Sequence, residues 1–107
     1  MGAIQGFNPD RNGDGIISQK EFKTMKKMGL DVNYLDKDGD GKVDKGVKAF
    51  KNSVMVGNEE RIYQKANLGN GNASIMSTSI ITAENGDKYA TPIDDVEVSQ
   101  KTLDTKW

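Results

Sequence analysis

Asp10-Arg11-Asn12-Gly13-Asp14-Gly15-Ile16-Ile17-Ser18 returns 26 residues later as Asp36-Lys37-Asp38-Gly39-Asp40-Gly41-Lys42-Val43-Asp44. Each copy has an acid or amide at its first, third and fifth positions and a glycine at the sixth. That pattern gathers oxygen atoms around a sharp turn, as a hard divalent cation requires. The first copy extends to Glu21 at the twelfth position. Asp10, Asn12 and Asp14 offer side-chain oxygens, Ile16 its carbonyl, Ser18 a bridging water, and Glu21 two oxygens from the first turn of a following helix. Ile17 is expected to pair with Val43 in a short strand joining the two loops. In the second copy Asp36, Asp38, Asp40 and Asp44 offer carboxylates and Lys42 a carbonyl, but Val47 occupies the twelfth position. The pattern thus predicts one strong Ca2+ site and a second that is weak or completed by a partner. Mg2+ is an alternative occupant there, because it keeps several waters. Four aspartates within nine residues repel one another unless a cation lies among them.

The first loop resembles an EF-hand, and the tandem resembles the loop–helix duplicate of dockerin modules, over residues 8–56. Only nine residues, Pro9 among them, precede Asp10, so a full entering helix is not expected. The 26-residue spacing is short for either family, and no residues match the dockerin partner-recognition pair, so cohesin binding is not implied. Helical spacing follows each loop: Phe22, Met25 and Met28 after the first, Val47, Phe50 and Val54 after the second. Gly29 reads as a stop and Asp31 as the cap of a single turn to Leu35. Asn58 reads as the N-cap of a third helix, with Glu59 and Glu60 in its first turn and Ile62, Tyr63 and Ala66 on its buried side.

Gly69-Asn70-Gly71-Asn72 reads as a linker, after which apolar residues recur every second position. Asn85-Gly86 marks a β-hairpin. A two-residue turn there would set Thr82 opposite Tyr89, Ile80 opposite Thr91 and Thr78 opposite Ile93. The face carrying Met76, Ile80, Tyr89 and Ile93 would be the apolar one. Pro92 confines its arm to an edge, and Val96 and Val98 suggest a third strand. The expected fold is α+β: an EF-hand-like, dockerin-like pair over 1–57, a helix over 58–68, a linker over 69–73, and a β-hairpin with its tail over 74–107.

Composition narrows the function. Leu, Ile, Val and Phe make up 22 of 107 residues, and there are 12 glycines, so the core is thin. With no cysteine or histidine, disulfides, thiolate or imidazole metal sites and His-based catalysis are excluded. A balance of 15 basic against 16 acidic residues gives no reason to expect nucleic acid. No apolar run is long enough for a membrane span, and no signal peptide is visible. The reading is a non-enzymatic protein stabilised by Ca2+, working with protein partners in an assembly. Its Ser/Thr-rich strands would add to another chain's sheet. A bacteriophage virion, bathed in millimolar calcium, is the expected setting. An extracellular dockerin-like module and an EF-hand sensor are the alternatives.

Overall fold

Strands, not helices, organise the chain. The computed structural model describes residues 4–11 and 13–106. It contains β1 (Ile4–Gly6), α1 (Gln19–Lys27), a 3-10 turn at Asn33–Leu35, β2 (Lys48–Ala49), β3 (Ser53–Val56), β4 (Glu59–Asn67), β5 (Asn72–Thr82), β6 (Lys88–Ser99) and α2 (Gln100–Lys106). All six strands belong to one antiparallel sheet, ordered β2-β3-β4-β5-β6, with β1 paired to β4. This corrects the expected α+β arrangement of two loop–helix units and a third helix.

The reason lies in the turns. Val56 pairs with Glu59, so Gly57 and Asn58 form a two-residue hairpin loop, with Gly57 at φ +59°. A Gly-Asn pair that reads as a helix stop followed by an N-cap is therefore a reversal between strands. The expected helix over 58–68 is β4, whose Arg61 and Tyr63 are buried while Ile62 is only half-buried, a period of two. The helix expected after the second loop is likewise replaced by β2 and β3. Val47, Ala49 and Val54 still reach the core, the last two as strand residues, and Phe50 is exposed at the turn between β2 and β3. The dockerin-like loop–helix duplicate thus lacks its second helix.

The β5–β6 hairpin keeps its expected location but not its register. Thr82 pairs with Lys88 and Ile81 with Tyr89. The Gly86 N–H donates to the Ala83 carbonyl at 2.9 Å, and the Ala83 N–H to the Asp87 carbonyl at 2.7 Å. The loop therefore has three residues, with Gly86 at φ +90° closing it, and each pairing moves by one. Val96 and Val98 continue β6 beyond a bulge at Ile93 rather than forming another strand.

The core lies on one side of this sheet. Phe22, Met25 and Met28 of α1, with Ile17, Leu30, Val32, Tyr34, Leu35 and Val47, pack on Ala49, Val54, Tyr63, Ala73, Ile75 and Val98. On β5 the buried set is Ala73, Ile75, Ser77 and Ser79, the opposite face from Met76 and Ile80. Two serines tolerate burial because carboxylates receive them: Ser77 Oγ donates to Asp94 at 2.8 Å and Ser79 Oγ to Glu59 at 2.7 Å. Along one edge of β4, β3 pairs with residues 59–62 and β1 with residues 64–66. Tyr63 sits at this seam, its N–H donating to the Asn52 carbonyl at 2.8 Å and its carbonyl accepting from Phe7 N–H at 3.1 Å.

Candidate metal centre

The first loop wraps around Asp10. This residue is 3% exposed, and its Oδ2 accepts the Gly15 N–H at 2.8 Å. Its other oxygen, Oδ1, is buried without a hydrogen-bond partner. A carboxylate oxygen left so is costly unless a cation satisfies it. Burial pushes the Asp10 carboxyl above its ordinary value of 3.8; the Gly15 N–H opposes this, and the charges of Asp14 and Glu21 add to it. Asp14 Oδ1 accepts from Ile16 N–H at 3.1 Å. Gly13 and Gly15, at φ +70° and +82°, make the bend that brings these groups together.

Glu21 is fixed from both sides. Its Oε2 accepts the Arg11 N–H and its Oε1 the Ser18 N–H, both at 2.8 Å. The Ser18 hydroxyl in turn accepts the Glu21 N–H at 3.1 Å, completing a capping box at the start of α1. Each carboxylate oxygen has lone pairs beyond those used, so Glu21 is oriented without being consumed. Asn12 lies outside the described residues. Ile17 and Val43 do not form the expected strand pair. Instead the Gly15 carbonyl accepts from Ala49 of β2 at 2.9 Å, and Gln19 Nε2 reaches the Gly41 carbonyl at 2.6 Å. A groove of about 620 Å³ lies between the two loops.

The second loop repeats the first contact by contact. Asp36 Oδ2 accepts from Gly41 N–H at 2.9 Å, as Asp10 does from Gly15. Asp40 Oδ1 accepts from Lys42 N–H at 2.9 Å, as Asp14 does from Ile16. A third correspondence bears on the missing twelfth ligand. Lys37 N–H, the counterpart of Arg11 N–H, donates to Asp44 Oδ2 at 2.8 Å. Asp44, at the ninth position, stands where Glu21 stands at the twelfth. Val47 is absent from the shell because it is 6% exposed in the core. With β2 rather than a helix following, the chain approaches the loop three residues early, and a shorter side chain suffices.

Asp36, Asp38, Asp40 and Asp44 bring ligand oxygens within 4.8 Å of one another. The Asp36 carboxyl lies below the ordinary 3.8: desolvation opposes this, but hydrogen bonds with the Asp38 and Asp40 side chains and from the Gly41 and Asp40 N–H groups together outweigh it. Asp38 is raised, chiefly by that shared bond with Asp36. The two carboxyls shift in opposite directions, as crowded acids that share a hydrogen bond do.

Beneath the second loop lies a polar cluster that the sequence did not reveal. Arg61 is 6% exposed, with its Nε 2.8 Å from Glu59, its Nη1 3.4 Å from Asp31, and its Cζ 4.0 Å from the Tyr34 ring centroid. The Tyr34 and Tyr63 hydroxyls share a hydrogen bond. Asp94 accepts the Asp31 N–H at 3.1 Å as well as the Ser77 hydroxyl. These groups join the loop layer to the sheet. Only alternation through β4 could have disclosed them, and reading residues 58–68 as a helix hid it.

No curated protein and no solved structure matches the chain. The model of the EF hand family matches residues 10–26, the first loop and most of α1. With the acidic cluster of the second loop, this points to calcium binding, and residues 10–26 are an EF-hand-like calcium-binding segment.

Proposed function

We propose that this chain is a non-enzymatic structural protein in which Ca2+ in the first loop, and Ca2+ or Mg2+ in the second, fasten the loop layer to the sheet. Asp10 Oδ1 carries this reading: a buried carboxylate oxygen without a partner, inside the EF-hand-like segment. A sensor would open an apolar groove between paired helices. Here α1 follows one loop and β2 the other, which favours a staple. A cation bound only by the native state stabilises it by about 2.7 kcal/mol at one hundred times its dissociation constant. In a domain of this size that raises the melting temperature by roughly 10 °C or more. Thermal unfolding with calcium and then with excess chelator tests the reading. The expected result is a large fall on chelation, and an unmoved transition overturns it.

The setting we propose is an assembly outside the cell, a virus particle such as a bacteriophage virion. Support comes from calcium being abundant there and from a core too thin to dispense with it. Fractionation of the source decides: recovery with sedimenting particles is expected, and recovery only as free protein overturns it.

A further inference from the structure

One face of the sheet lies away from the core. Every strand residue of the core belongs to the face beneath α1 and the loops. The cross-strand neighbours on the opposite face include Met55, Ile62, Met76, Ile80, Ala90 and Pro92, and none of these joins the core cluster. They form an apolar centre across β4–β6, with Thr78 among them and Glu60 between Met55 and Ile80 at its margin.

The charges around this centre are arranged in a particular way. Lys88 lies on the open face at the hairpin end of β6. Asp95 and Glu97 lie on the same face at the other end, because the bulge at Ile93 reverses the alternation; without it they would turn toward the core side. Ser74 Oγ donates to Asp95 at 2.6 Å, and Asn72 donates to Glu97. These donors are neutral, and neither acid nor Lys88 takes part in an ion pair among the described residues.

We propose that this face binds a second copy of the chain. A two-fold axis crossing the strands would stack the faces with β6 antiparallel over its counterpart. Lys88 of each copy then meets Asp95 and Glu97 of the other, around a shared apolar centre. At about 4.8 Å between strands and about 3.3 Å per residue, the patch covers roughly 600 Å² on each copy. The pair therefore buries roughly 1,200 Å², the lower end of specific interfaces. Edge-to-edge addition through β6 fits worse, because Pro92 has no N–H to donate and the bulge breaks the edge beside it. The sheet thus meets its partner by a face, as in sandwiches, rather than through the hairpin edge.

Sedimentation velocity on calcium-loaded protein across the micromolar range is the test. The expected result is a concentration-dependent species of twice the monomer mass. Lys88→Glu alone should weaken it about tenfold or more, and adding Asp95→Lys with Glu97→Lys should restore it. All these positions are on an open face, so circular dichroism should show the fold unchanged. A carbodiimide should join Lys88 to Asp95 or Glu97 as an amide with loss of water. Within one copy Lys88 is about 20 Å from Asp95 and about 26 Å from Glu97 along the strand, so the product reports contact between copies. A monomer at every concentration overturns the proposal. So does a dimer that ignores the charge exchanges and gives no such cross-link.

Discussion

The Tyr34 hydroxyl is hydrogen-bonded to the Tyr63 hydroxyl inside the core, which ties the approach to the second loop to the middle of β4. Burial pushes both phenols above the ordinary 10.0. Both therefore stay protonated at any working pH. Tyr34→Phe leaves the Tyr63 hydroxyl unpartnered and the reverse holds for Tyr63→Phe, so each should cost about 1–3 kcal/mol. The double variant should cost less than the sum, since it leaves no orphan. Urea unfolding of the four proteins measures this, and strict additivity would show the contact to be energetically idle.

In the first loop, Glu21→Gln keeps an oxygen for the Ser18 N–H but loses the charge. Calcium affinity by calorimetry should fall at least about tenfold while α1 persists. Asp10→Asn should behave oppositely in two buffers. With chelator it removes a buried charge and should not lower the melting temperature; with calcium it removes a ligand and should. A loss of equal size in both buffers would assign Asp10 a packing role alone.

For the second loop, Asp44→Asn should remove binding there, followed by the amide shift of Gly41, while Gly15 still saturates. Val47→Glu should not repair or strengthen the site, since Val47 is buried at 6% exposure and its replacement places a charge in the core. That variant is expected to lose several kcal/mol of stability. A Gly41 titration unaffected by Asp44→Asn would contradict the equivalence of Asp44 and Glu21.

Glu59 provides a pH signature. Burial opposes its ionisation, but the Ser79 hydroxyl and the Arg61 guanidinium outweigh that and hold the carboxyl below its ordinary 4.5. A depressed folded value means the unfolded state binds the proton more readily. The stabilisation is thus complete above the unfolded value and is lost as pH falls below about 4.5 toward the folded one. In chelator, where loop ligands bind no metal, Glu59→Gln should be less stable at neutral pH and should flatten the acid limb. Parallel acid limbs for the two proteins would remove Glu59 from the account.

The first loop was legible because its chemistry is local: Asp10, Asp14, Glu21 and the glycines between them declare their roles by spacing alone. The sheet was not, and three places in the chain show why. Gly57-Asn58 carries the same letters as a helix end followed by an N-cap, and only pairing partners distinguish the two. Ser77 and Ser79 mark the buried face of β5, yet their burial depends on Asp94 and Glu59, distant in sequence. Asp44 reads as a ninth-position ligand on a template with a following helix, and here a strand follows.

The seam at Tyr63 also bears on the order of folding. Phe7 and Asn52 bond the same residue of β4, so the chain leaves its edge, builds both cation loops and returns beside its point of departure. That excursion is one long closed loop, and closing it costs entropy that grows with the logarithm of its free length, about 0.6 kcal/mol per doubling. Ions that tie up residues 10–21 and 36–44 shorten the free length before the ends meet. Calcium should therefore speed the docking of β1 and β3 onto β4 as well as slow their release.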